Sequence, residues 1–196
     1  VTAGLALAAP DLVRLRIDSL FGTALDGAAR GDSVVALLPA RRIGVAADAR
    51  RDALGIRRPG SLGFRVFAAA WRPPDAAWQA LAWSGDLIEL RWAEARDSLR
   101  LTIGPDGRPV TATLESGDSV RVAARYRRWM HQNGVDWPSL IEFSGADGDA
   151  IVRCRVERVL FRDHVTAGRL VVRLPAGTDS LDWPAFVRTL QRAREL

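Results

Sequence analysis

Apolar and polar residues alternate along much of this chain. Alternation at period two sends successive side chains to opposite faces of a sheet. Leu87 to Trp92 reads L-I-E-L-R-W, so Ile88, Leu90 and Trp92 share one face and Glu89 and Arg91 the other. Leu99, Leu101 and Ile103 alternate with Ser98, Arg100 and Thr102, and Val110, Ala112 and Leu114 with Thr111, Thr113 and Glu115. Val120, Val122, Ala124 and Tyr126 alternate with Arg121, Ala123, Arg125 and Arg127, and near the end Leu170, Val172 and Leu174 alternate with Val171 and Arg173. The earlier runs Leu12–Phe21, Ser33–Leu38 and Ile43–Ala46 are strand-like too, and Leu140–Phe143 and Ile151–Leu160 add two more.

The connections fit this pattern. Ser84-Gly85-Asp86, Gly104-Pro105-Asp106-Gly107, Ser116-Gly117-Asp118 and Gly145-Ala146-Asp147-Gly148 carry turn residues between neighbouring runs. Loops this short force antiparallel pairing, because parallel strands need a long crossover. The pattern predicts a mainly β chain folded as one domain over residues 1–196, an up-and-down antiparallel meander of about ten to twelve strands. That is too many for a flat sheet, so the meander is expected to curl or close.

Three segments read as helical. Asp48–Leu54 is short, with Asp48 as its N-cap. Pro59–Trp71 places Phe64, Phe67 and Trp71 at i, i+3 and i+7 and Leu62 four residues before Val66, so it is apolar over a wide arc. Asp182–Glu195 has Pro184 in its first turn and Phe186, Val187 and Leu190 on one side.

At 196 residues the chain can bury a real core, and no apolar run approaches the ~18 residues a membrane-spanning helix needs. It begins at Val1 without the charged n-region and apolar core of a secretory signal, which fits a mature or trimmed segment. Cys154 is the only cysteine, so no internal disulfide forms; in its strand-like run it reads as a small buried hydrophobe. All 28 basic residues are arginine and the net charge is +5. Wholesale use of arginine with abundant Ala, Gly and Asp is read as the mark of a GC-rich genome, and no nucleic-acid partner is expected.

Candidate chemistry is sparse. His131 and His164 lack metal-like partners at useful spacing, so no metal site is expected. No G-x-S-x-G elbow, P-loop or G-x-G-x-x-G is present. The Asp147–Asp149 turn lacks the spacing and closing glutamate of a calcium loop. The Arg125–Arg128 cluster beside Tyr126 and Trp129 reads as a solvated sheet face, because alternation sends Tyr126 away from Arg125 and Arg127. No catalytic residue and no cofactor is assigned, and the chain is not expected to be an enzyme. What remains is a curved sheet whose apolar face lies under an apolar helix, either a filled core or a cavity with a removable lid.

The order of segments carries a resemblance. R-L-R-I-D-S-L-F-G-T at Arg14–Thr23, the helical segments Asp48–Ile56 and Leu62–Trp71, V-E-R-V-L-F-R-D at Val156–Asp163 and R-L-V-V-R-L-P-A-G at Arg169–Gly177 follow the layout of the bacterial lipoprotein-carrier family, LolA and LolB, over essentially the whole chain. The resemblance implies an open, unclosed β-barrel with an α-helical lid at about residues 48–71. It implies shielding of lipoprotein acyl chains in transit to, or insertion into, the outer membrane, and a periplasm-facing protein anchored there by a lipidated cysteine before Val1. Burying acyl chains yields about 0.8 kcal/mol per CH₂, so an apolar cavity supplies the affinity without a cofactor. The chain departs from LolB at the hairpin Ala28-Ala29-Arg30-Gly31-Asp32, which is short and polar where LolB engages the membrane with an exposed apolar residue; a relative binding some other lipid fits that departure.

The expected cavity lining is Leu15, Ile17, Leu62, Val66, Phe67, Trp71, Ile88, Leu90, Trp92, Leu101, Leu114 and Val122, and the expected partners are acylated lipoproteins or another lipid. The alternative is a structural or interaction lipoprotein of the envelope with a filled core. A hydrolase with a dispersed site is a third reading, for which no residue speaks.

Overall fold

Most of the alternating runs become strands in two antiparallel-rich sheets. The computed structural model describes residues 1–8, 11–52, 54, 58–68, 78–94, 97–116, 119–132, 134–145, 150–160 and 170–194. These form two compact units, Val1–Phe64 with His164–Leu196, and Arg65–Asp163.

The first unit carries β1 (Thr2–Ala8), β2 (Leu12–Ser19), β3 (Gly22–Arg30), β4 (Ser33–Leu38) and β5 (Ile43–Asp48), each antiparallel to the next. Cross-strand partners share a face, so Leu5, Leu15, Gly27, Ala36 and Val45 line up across all five strands. Ala36, Leu38, Val45 and Ala47 bury that face against Phe186 of the C-terminal helix, with Leu25, Ile43, Leu54, Leu181, Trp183 and Leu190 packed around them. The sequence starts this helix clearly. The Asp182 carboxylate accepts the Ala185 N–H at 2.7 Å and the Asp182 carbonyl the Phe186 N–H at 3.0 Å, as an N-cap does.

The second unit carries β6 (Gln79–Ser84), β7 (Leu87–Glu94), β8 (Asp97–Ile103), β9 (Pro109–Ser116), β10 (Ser119–Gln132), β11 (Val135–Ser144) and β12 (Ala150–Arg155), a seven-stranded meander in sequence order. A two-residue strand, β13 (Asp179–Ser180), belongs to the first unit and pairs parallel with β5. Two α-helices are present among the described residues, α1 (Pro59–Ala68) and α2 (Trp183–Arg194), with a single 3-10 turn at Pro39–Arg41.

The mainly β class expected from alternation is what forms, but the strands make two sheets, neither closed into a barrel, where a single meander was expected. β13 pairs with Ile43 and Gly44 at the start of β5 and is the last strand of the first sheet. Where a short helix is expected at Asp48–Leu54, the described residues 49–52 form turns instead. Asp48 Oδ1 accepts the Arg50 N–H at 2.9 Å, and Asp52 Oδ2 reaches back to the Asp48 N–H at 2.7 Å. Aspartates that satisfy the local backbone this way compete with helix formation. The helix expected over Pro59–Trp71 runs to Ala68; residues 69–71 lie outside the described residues, as do His164, the Asp147–Asp149 turn and Glu195.

Two strand boundaries also shift. The ladder of β12 ends at Arg155, and residues 156–160 continue without a strand, held by Val156 N–H to the Ser139 carbonyl at 2.9 Å and Val159 N–H to Gln132 Oε1 at 2.9 Å. Residues 171–175 join no ladder, yet the alternation there is real: Leu170 and Val172 are buried while Val171 and Arg173 are exposed.

Candidate functional site

The feature that combines sequence pattern and geometry is the apolar face of the seven-stranded sheet. Register sets out its rows. Leu90, Leu101, Ala112, Ala124, Phe143 and Val152 line up across β7 to β12. Trp92, Leu99, Leu114 and Val122 form the row to one side, and Trp83, Ile88 and Ile103 part of the row to the other. Tyr126, Ile141 and Cys154 extend the face on β10 to β12.

Burial is graded across it. Leu99, Leu101, Ala112, Ala124 and Ile141 are each at most 2% exposed. Ile88, Leu90, Ile103, Val122 and Phe143 are half-buried, and Trp83 and Val152 at the outer strands are 74% and 48% exposed. The apolar surface therefore continues from a sealed centre to an open rim.

The opposite face is polar and closed by charge. Arg100 pairs with Glu89 at 3.4 Å and Glu115 at 3.0 Å, and the Thr111 hydroxyl donates to Thr102 at 3.0 Å. A sheet so divided can cover an apolar ligand on one side only.

The end of α1 rests on the apolar face. The Arg65 guanidinium lies 4.4 Å from the centroid of Trp92, Phe67 meets Phe143 at 5.6 Å between ring centroids, and the Tyr126 hydroxyl donates to the Val66 carbonyl at 2.5 Å. Burial pushes the Tyr126 phenol far up from its ordinary range, so it remains a proton donor at any physiological pH. Burial likewise pushes the Cys154 thiol up, which disfavours the nucleophilic thiolate.

The expected lining residues are distributed as follows. Val66, Phe67, Ile88, Leu90, Trp92, Leu101, Leu114 and Val122 belong to this unit; Leu90 pairs with Leu101 and Leu114 with Val122. Leu15 and Ile17 lie on β2 and Leu62 on the first half of α1, all within the other unit. Trp71 lies outside the described residues.

One functional candidate escapes the alternation pattern. Leu20 and Phe21 form the two-residue tip between β2 and β3, and each is 98% exposed. Ser19 closes the turn: its hydroxyl accepts the Phe21 N–H at 3.2 Å and donates to the Gly22 carbonyl at 3.0 Å, and Gly22 takes a positive φ of 108°. Read as the end of a strand, L-F-G hides this. The available signal was a Ser and a Gly flanking two large apolar residues, a turn frame around hydrophobic contents. The β3–β4 turn at Gly31-Asp32 is polar, as the sequence indicates.

No protein-family model matches this chain, and no curated protein matches it in sequence.

Proposed function

We propose that this chain is a non-catalytic binder of acyl chains, of lipoproteins or of another lipid, serving lipoprotein transport or localisation at the outer membrane. The observation that carries this reading is the apolar face of β7 to β12, continuous over six strands and covered by the end of α1. In this reading the half-buried rim residues Ile88, Leu90 and Val122 receive the acyl chains, and the α1 turn acts as a lid over an open, unclosed barrel. The resemblance to LolA and LolB supports the same direction, and with it a periplasm-facing protein held at the membrane by a lipid anchor. Leu20 and Phe21 give it a second apolar contact, small enough to dip into a membrane interface.

A specific observation favours a second reading. Leu99 is 0% and Leu101 and Ala112 1% exposed, as in a filled core. On that account the chain is a structural or interaction lipoprotein of the envelope with no ligand.

Binding of an environment-sensitive hydrophobic dye, with displacement by a diacylated lipopeptide, separates the two. Saturable binding that the lipopeptide reverses, and an unacylated peptide does not, supports the carrier. Absence of binding by cooperatively folded protein overturns it in favour of the filled core.

A further inference from the structure

We propose that the polar face of β10 to β12 is a docking surface for the anionic headgroups of a phospholipid membrane. Register places Arg125, Glu142 and Arg153 in one row across these strands and Arg127, Leu140 and Arg155 in the next. Glu142, with its side chain 19% exposed, is the acceptor among them: Arg127 Nε reaches it at 3.1 Å and Arg153 Nε at 2.9 Å. Four guanidiniums against one carboxylate leave a charge of +3 (4 − 1) on two adjacent rows.

These arginines are open to solvent. The Arg127 and Arg153 side chains are 50% and 68% exposed, and Arg125 and Arg155 are exposed as well. Like charges gathered on one sheet face repel. An anion relieves that repulsion, and arginine's planar fork matches phosphate oxygens two at a time.

The choice of a membrane follows from charge spread over two adjacent rows, which matches a layer of phosphates. Single-stranded nucleic acid needs aromatic rings on which bases stack. Tyr126 points to the opposite face with its hydroxyl on Val66, and Trp129, in line with Arg127 on this face, has Arg108 over its ring at 5.5 Å. What remains is a patch of phosphate-binding forks beside a single ring, Trp129, that Arg108 already covers. It meets the charge of a headgroup layer, which attracts arginine with a gain on the order of fivefold in affinity per residue.

This inference does not rest on acyl-chain binding, which uses the other face of the sheet. The test is co-sedimentation of the full chain with vesicles containing phosphatidylglycerol, against vesicles of phosphatidylcholine alone. Preferential, salt-sensitive binding to the anionic vesicles is expected. The double variant Arg125→Ala/Arg155→Ala should lose binding by about twenty-fivefold, whereas Arg51→Ala/Arg192→Ala, equal in net charge, should lose far less. Glu142→Gln, which removes the one carboxylate, should strengthen binding, and gives a reading of opposite sign even if the double variant folds poorly. Equal losses in the two double variants, no preference for anionic vesicles, displacement by millimolar inorganic phosphate, or tighter binding to a single-stranded oligonucleotide would each overturn the proposal.

Discussion

The Tyr126 hydroxyl donates a 2.5 Å hydrogen bond to the Val66 carbonyl, joining a strand to a helix 60 residues earlier in the chain. Val66 lies near the C-terminal end of α1 as described, Pro59–Ala68. The phenol reaches its carbonyl from the apolar face and holds this part of the helix down.

Tyr126→Phe should therefore leave the ring packed and remove this hydrogen bond from the Val66 carbonyl. The expected cost is about 1–2 kcal/mol in urea denaturation. If α1 is a removable cover, the same variant should bind the hydrophobic dye more tightly, because the cover is released at lower cost. Loss of stability with no change in dye binding would mark the contact as core packing alone.

Charge placed on the apolar face discriminates its centre from its rim. Leu101 is 1% exposed, and Leu101→Glu should unfold the second unit, at about 4 kcal/mol or more for an unpaired buried carboxylate. Leu90 is half-buried beside it. Leu90→Glu should keep a cooperative transition and abolish lipopeptide displacement of the dye. A folded Leu90→Glu protein with unchanged binding would show that the ligand does not use this face.

Alternation made the second sheet readable because few residues separate its successive strands and one apolar row holds its partners from Leu90 to Val152 despite register shifts elsewhere in the ladders. The strand pairing of β13 with β5 was not readable: two residues, Asp179 and Ser180, carry no pattern, and their partners lie far away in sequence. The expected lining drew on both units because periodicity tells which face a residue occupies but not which sheet it joins. Leu15 and Ile17 therefore share a pattern with Leu90 and Leu101 while lying on strands of different units.

Gly60 is another relationship that periodicity cannot report. A Cβ at this position would lie 2.6 Å from the Gly31 nitrogen and 2.8 Å from the Arg30 Cα, and closer still to the Asp11 carbonyl oxygen. All three are backbone atoms, and the Gly60 N–H already donates to the Gly31 carbonyl at 3.0 Å, so little can give way. Gly60→Ala should destabilise the first unit by about 1–3 kcal/mol or more through overpacking, although alanine is the better helix former. A variant as stable as the parent in urea would show that α1 starts elsewhere in solution.

The Leu20–Phe21 tip makes the reverse prediction, a change in binding without a change in stability. Both side chains are 98% exposed, so Leu20→Ser/Phe21→Ser should leave thermal unfolding within about 0.5 kcal/mol of the parent. Partition onto phosphatidylcholine vesicles, which offer apolar interior without net charge, should fall. Unchanged partition would remove the tip from any membrane role.

The last prediction concerns acid. Asp136 accepts from His131 Nδ1 at 2.8 Å and from Arg108 Nη2 at 2.6 Å. The His131 hydrogen bond, and then the Arg108 hydrogen bond, hold its carboxyl below the ordinary carboxylate range. A carboxyl whose folded value is depressed binds fewer protons in the folded than in the unfolded chain. Its contribution is therefore complete above the ordinary value near 3.9 and is lost as pH falls from there through the folded value. The stability difference between the parent and Asp136→Asn should stay level at neutral pH and shrink only below about pH 4. The group is exposed, so the difference should be small and should weaken with salt. A difference that instead disappears well above pH 5 would show that the Asp136 carboxylate does not control it.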